Sequence, residues 1–201
     1  TLFPYTTLFR SVAGYHADFF LYTSPTAREA AQRGEPVTLL VQPNNSGITS
    51  DDATVHRRDA WWMGFERHGL ADELGVVLLV PAFTRPSTGW QVYTHALDRD
   101  VLTTDRPELR RLDLQLLAMV TRARQELAAA SIRLEERFLL QGFSASAMFA
   151  NRFTILHPAV VKAVAVGSPG GWPIAPVPAL AGELLPYPAG IGDLERLTGH
   201  P

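Results

Sequence analysis

The run Gln141-Gly142-Phe143-Ser144-Ala145-Ser146 sets a serine two residues after a glycine, between an apolar segment and a helix-like one. A serine hydroxyl becomes a useful nucleophile only when a turn exposes it and neighbouring groups activate it. Phe138 to Gln141 reads as a buried strand, and Ala147 to His157 as a helix. A tight turn between two such elements lifts a hydroxyl to the top of a parallel sheet. Gly142 lets the chain bend there without a side chain in the way. The helix that follows aims unpaired N–H groups at the reaction centre. A three-position pattern recurs by chance, so its weight rests on the elements around it.

Those elements alternate. Asp18 to Thr23 reads as a short strand, and Ala27 to Arg33 as two helical turns before Gly34. Val37 to Gln42 is a β-branched and aliphatic run of the kind buried on both faces. Pro43-Asn44-Asn45-Ser46-Gly47 is a loop of turn-formers. Ser50-Asp51-Asp52 caps a helix expected from about Asp52 to His68, with Gly69 as its stop. Gly75 to Pro81 is a second buried strand, and Ala82 to Thr104 a long aromatic loop. Thr104 or Asp105 is expected to cap the next helix, with Pro107 in its first turn. Leu109, Leu112, Leu116, Val120, Ala123 and Leu127 then recur at three- and four-residue steps, a core-facing stripe. Val160 to Val166 is a further strand. The alternation predicts an α/β fold, a mostly parallel sheet with helices on both faces. Asn44, Pro81, Ser144 and Gly167 each follow a strand, so they belong on one rim, where such sheets build their sites.

Composition narrows the function classes. With 18 Lys and Arg against 20 Asp and Glu, the 201-residue chain offers no basic stripe, and nucleic acid is not an expected partner. No run approaches the length of apolar residues that a membrane helix needs, so no membrane partner is expected. The absence of cysteine excludes disulfides and thiolate metal sites, and leaves the compartment open. No His, Asp or Glu spacing suggests a metal or cofactor. Thr1 to Ser11 (residues 1–11) does not read like the rest. It resembles a translated sequencing adapter of the kind found at the ends of assembled environmental reads, the alternative being a genuine short strand. Residues 12–201 then form one domain, expected to be truncated at both ends.

Over nearly all of residues 12–201 the chain resembles the α/β-hydrolase superfamily, most of all esterases of the polyhydroxybutyrate-depolymerase type. The segments that carry the likeness are VTLLVQPNNSG, VLLVPAFTRP and LLQGFSASAMFANRF. Ser146 departs from the usual pattern, which has glycine there. The resemblance implies that Ser144 attacks a small-molecule or polymeric ester and forms an acyl-enzyme. It also implies that the Ala145 N–H and a donor from Asn44 or Asn45 hold the oxyanion. An acid and a histidine should follow the serine. After Ser144 the sequence has a single Asp, Asp193, and ends its histidines at His200, too close together for a triad pair. Both true partners are therefore expected beyond Pro201, and the chain itself is expected to turn over little substrate.

The remaining candidates have plain readings. Asp193 suits the cap of a short helix. His157 suits a carbonyl cap at a helix end, and His56 and His68 suit solvent-facing positions on their helix. His95, with Tyr93 and Trp90, either lines a cleft or lies in an ordinary surface loop, the latter being the default. Trp61, Trp62 and Phe65 read as core at helical spacing. The stretch from Ser168 to Ile191 suits either a cleft wall or a linker. Two functions stay open: a serine ester hydrolase, and a non-catalytic binding module in which the serine turn only packs.

Overall fold

The structure is a computed structural model that describes residues 6–12, 14–45, 47–171 and 174–199. Its sheet has six strands in the order β1-β2-β4-β3-β5-β6. These are β1 (Thr6–Phe9), β2 (Phe19–Thr23), β3 (Leu39–Val41), β4 (Val77–Pro81), β5 (Phe138–Phe143) and β6 (Val161–Gly167). Strands β4, β3, β5 and β6 run parallel, while β2 is antiparallel to both β1 and β4. The carboxyl ends of the four parallel strands therefore share one edge, with Asn44, Ala82, Ser144 and Ser168 just beyond it.

Helices cover both faces. On one side α4 (Leu112–Ala129) and α5 (Ala145–Leu156) bury Leu116, Val120, Phe149 and Phe153 against Phe19, Val41, Leu79 and Leu140. The six-residue stripe is fully realised, every member being buried. On the other side α2 (Ala53–Leu74) sets Ala60 and Ala71 on Phe20, Leu40, Leu78 and Val80. Burial of such side chains stabilises by about 1.5–3 kcal/mol each, the main force that flattens the helices onto the sheet. A shorter helix α1 (Pro25–Gln32) starts at Ser24, whose hydroxyl accepts the Ala27 N–H.

Several boundaries differ from expectation. Helix α2 does not stop at Gly69; it runs to Leu74 and ends at Gly75, which is left-handed at φ 66°. Its last turn seats Ala71, fully buried, on the sheet, and that contact outweighs the cost of about 1 kcal/mol for an internal glycine. Helix α4 begins at Leu112 rather than near Pro107, because Arg111 sits at φ 51° and donates its N–H to the Val101 carbonyl. The long loop folds locally, with a 3-10 turn at Thr94–Ala96 and a short helix α3 (Arg99–Thr103).

Side-chain positions also correct the plain readings. Trp62 and Phe65 are 51% and 38% exposed, stacked on each other outside the core, while Trp61 is half-buried. Their side of α2 overhangs the sheet instead of facing it. His56 is fully buried rather than solvent-facing, with Nε2 2.9 Å from the Ser50 carbonyl. The stretch after β6 is not a plain linker. It forms the hairpin β7 (Ala179–Leu180) and β8 (Glu183–Leu184), then buries Tyr187, whose hydroxyl donates to the Leu97 carbonyl. Helix α6 (Leu194–Thr198) follows, but Asp193 does not cap it with its side chain. Its carboxylate instead takes Arg99 at 2.6 Å and the Tyr187 N–H at 2.8 Å.

Among the described residues no helix is long and apolar enough to cross a membrane. Strand β1 pairs along its length with β2, and Phe9 stacks on Phe19 at 4.9 Å. At the opposite edge β6 has, among the described residues, a strand partner on one side only, and Lys162 to Ala165 are exposed. A long apolar edge is a template for further strand pairing. Val164→Lys should therefore lower light scattering during heating, with little change in the unfolding midpoint; unchanged scattering would show that β6 is not the sticky edge.

Candidate active site

The turn at Ser144 is built by close contact. Strand β5 ends at Phe143 and α5 starts at Ala145, so one residue carries the whole change of direction. Ser144 adopts φ 58° and ψ −118°, a region that residues with a side chain rarely enter. Strain of that kind costs about 1–3 kcal/mol and persists only when the surroundings over-determine it. Gly142 supplies part of the constraint: a Cβ there would lie 2.2 Å from the Ser146 carbonyl oxygen and 2.5 Å from the Ala147 nitrogen. The helix start can press on the strand only because that side chain is missing.

Ser146 supplies another part. Its Oγ accepts the Phe143 N–H at 3.0 Å and donates to the Phe143 carbonyl at 3.0 Å. The hydroxyl thus clamps both polar groups of the residue before Ser144, which a glycine in this position could not do. Ser144 donates its N–H to Gly167 at 3.0 Å, and its carbonyl takes the Ala147 and Met148 amides at 3.1 Å. What remains is the side chain. Ser144 is half-buried, and among the described residues its Oγ makes no hydrogen bond. The Ala145 N–H is likewise unpartnered, and Phe143 beside them is 57% exposed.

The two asparagines have different surroundings. Asn44 is fully buried and its amide brackets the backbone of Phe83, accepting that N–H at 3.0 Å and donating to that carbonyl at 3.0 Å. Its Nδ2 also reaches Asp59 at 3.2 Å. Burial raises the Asp59 carboxyl above its ordinary range, and the Asn44 bond pulls the other way. Asn44 therefore joins the loop after β3 to the loop after β4, and its side chain does not face Ser144. Asn45 is half-buried and turned to the elbow, its Oδ1 accepting the Ser146 N–H at 3.2 Å. Only the oxygen can accept there, and its NH₂ has no hydrogen-bond partner among the described residues.

His95 is the residue that sequence reasoning misplaced. It is fully buried rather than in an ordinary surface loop, and its Nε2 lies 2.9 Å from the Asn44 carbonyl. Its Nδ1 lies 3.3 Å from the Thr94 hydroxyl, which donates to Thr84 at 2.5 Å. Burial lowers its pKa to about 4, so the ring is neutral at pH 7. Phe83 and Tyr93 flank the ring, and Arg85 lies 4.6 Å over Tyr93. The only sequence signal was a histidine in an aromatic loop, and its partner is 51 positions away.

Other titratable groups stand apart from Ser144. His157 does not cap carbonyls; its Nε2 bonds the buried carboxylate of Asp113 at 2.8 Å, beside Arg111. Burial works to raise the Asp113 pKa, but the bonds from His157 and Arg111 prevail and lower it. This pair caps the far end of α5, about 20 Å from Ser144 at 1.5 Å per residue. Asp51 holds the two loops together from outside, and hydrogen bonds from Ser87 and Thr88 lower its pKa to about 2. Asp193 is committed to Arg99, and His200 lies outside the described residues. Among the described residues no histidine hydrogen-bonds Ser144, and no group of three His, Asp or Glu side chains could hold a metal ion.

Comparison with solved structures places the fold. Poly(aspartic acid) hydrolase-1 from Sphingomonas sp. KT-1 superposes with a TM-score of 0.58 at 19% identity, over 92% of this chain and 61% of that one. The fold is that of the α/β-hydrolases. The poly(3-hydroxybutyrate) depolymerase LpqC from Bordetella parapertussis matches at 0.51 and 20% identity, over 96% of this chain and 61% of that one. An S-formylglutathione hydrolase from Agrobacterium tumefaciens matches at 0.50 and 20% identity, over 79% and 55%. The chain thus spans less than two thirds of each of these α/β-hydrolase-fold structures. No family model and no curated protein matches the sequence.

Two outcomes follow for this elbow and the histidine behind it. Gly142→Ala should destabilise by about 1–3 kcal/mol or more, as overpacking does, seen as a lower denaturation midpoint; an unchanged midpoint would remove the close contact from the account. Because the folded pKa of His95 lies below its unfolded value, its contribution is complete above about pH 6.5. It is lost as pH falls toward 4, on the order of 3 kcal/mol in all. Unfolding free energy measured from pH 7 to pH 4 should show this slope, and His95→Gln should flatten it.

Proposed function

We propose that this protein is a serine hydrolase of carboxylic esters, small or polymeric, acting through an acyl-enzyme on Ser144. One observation carries the reading: a half-buried hydroxyl with no hydrogen bond among the described residues stands on a strained strand-to-helix corner, beside the Ala145 N–H and Asn45, whose donors likewise lack partners among the described residues. Ser144 Oγ attacks the ester carbonyl, and the carbonyl oxygen takes the negative charge of the tetrahedral intermediate. Ala145 and Asn45 meet that charge, each such donor contributing about 3 kcal/mol of transition-state stabilisation. Asn44 serves from behind, holding the loop through Phe83. Collapse expels the alcohol, and water then cleaves the acyl-enzyme.

The fold neighbours support the reaction class, since one is a hydrolase of poly(aspartic acid) and another a depolymerase of poly(3-hydroxybutyrate). The general base and its acid would come from outside the described residues. Among the described residues no histidine bonds Ser144, and loss of that histidine costs a serine hydrolase about a millionfold in kcat, so the 201-residue chain alone should show little or no turnover. The lack of a histidine bonded to Ser144 is also the observation that favours the second reading, a non-catalytic protein of the same fold.

A fluorophosphonate probe separates the two. Protein expressed from its full natural reading frame should gain one adduct, detected by intact mass and mapped to Ser144, and Ser144→Ala should gain none. Absence of labelling in the unsubstituted protein would favour the non-catalytic reading.

A further inference from the structure

We propose that His95 is a positioning residue of this site, a neutral imidazole whose Nε2–H grips the Asn44 carbonyl and thereby aims the Asn45 N–H as an oxyanion donor. The inference rests on Ser144 being the nucleophile, and it decides which donor the loop contributes: a backbone one.

The argument starts from peptide geometry. The carbonyl of Asn44 and the N–H of Asn45 belong to one planar trans unit and point in opposite directions. Holding the oxygen therefore fixes the hydrogen. The Asn44 oxygen can only accept, so the nitrogen 2.9 Å away must carry the proton, and the tautomer is set. The side chain of the same asparagine is held independently by both polar groups of Phe83. Beyond the peptide, the Asn45 side chain bonds the Ser146 N–H, which places this residue against the elbow. The Asn45 N–H itself has no hydrogen-bond partner among the described residues.

The surroundings keep the ring neutral and still. His95 is fully buried, its ring lies edge-on to Phe83 and tilted against Tyr93, and Arg85 and His56 are the basic groups that disfavour a proton on it. Asp59, the nearest carboxylate through Asn44, bonds Nδ2 of that asparagine rather than the imidazole. Thr94 stands by Nδ1. A charged ring would need no tautomer and would drag counter-charge into the core, whereas the neutral ring supplies one directed N–H.

The test has two arms. In the 201-residue chain, long-range proton–nitrogen correlation should show His95 protonated on Nε2 and bare on Nδ1 at both pH 7 and pH 5. His95→Leu should shift the Asn45 amide resonance, and His95→Gln, whose amide N–H can reach the same oxygen, should restore it. A ring titrating near pH 6.5, an Nδ1–H tautomer or an unmoved Asn45 amide would overturn the proposal. In the full-frame protein, fluorophosphonate labelling of Ser144 should slow ten- to a hundredfold in His95→Leu and recover to within about threefold in His95→Gln, the scale expected when one donor is misaimed. Should the leucine variant not fold, His95→Asn, polar but too short to reach Asn44, takes its place. Equal labelling rates in all folded variants would overturn the positioning role. No label on the unsubstituted protein would count against Ser144 as nucleophile, while the resonances would still decide whether His95 holds the peptide.

Discussion

Everything at this site depends on the absence of a side chain at position 142. The first turn of α5 rests so close over Gly142 that even a methyl group would overlap the backbone of Ser146 and Ala147. That proximity leaves a single residue to turn the chain, and the residue is forced to positive φ. The hydroxyl there is half-buried and makes no hydrogen bond among the described residues. Ser146 completes the lock from the helix side, both making and taking a hydrogen bond with Phe143. A strained corner of this sort is maintained by its neighbours at a cost of about 1–3 kcal/mol, which packing over the rest of the domain must offset.

Behind the corner lies a buried polar network that would destabilise the core if any member lost its partner. Asn44, Phe83, His95, Thr94 and Thr84 join the loops after β3 and β4, and Asn45 passes that order to the first turn of α5. The arrangement explains why a histidine sits fully buried in a segment that otherwise reads as loop. Its job is directional, and an uncharged ring does it without a counter-ion. The same logic separates it from His157, whose buried carboxylate partner ties helix ends together far from Ser144.

Local signals were legible in the sequence and distant ones were not. The elbow, the four parallel strands and the buried stripe, which runs from Leu109 just before α4 to Leu127 within it, are all written in short runs. Gly69 is a stop signal by propensity, yet α2 continues past it because Ala71 still has sheet to cover. Pro107 suggested a helix start, but Arg111 turned the chain first. Trp62 and Phe65 have core composition without a core position, being exposed on the helix, whereas Trp61 packs against the core. His95 and Asp193 were given ordinary roles because their partners, Asn44 and Arg99, are remote in the chain.

Likeness to solved hydrolases establishes the fold, while the chemistry rests on the corner itself. Its strain can be measured without any substrate. Ser144→Gly and Ser144→Ala both remove the hydroxyl, but only glycine relaxes at φ 58° and ψ −118°. Chemical denaturation of the two variants should find glycine the more stable by about 1–3 kcal/mol. Alanine the more stable, by the 0.5–1 kcal/mol usual in relaxed strands and helices, would contradict the account.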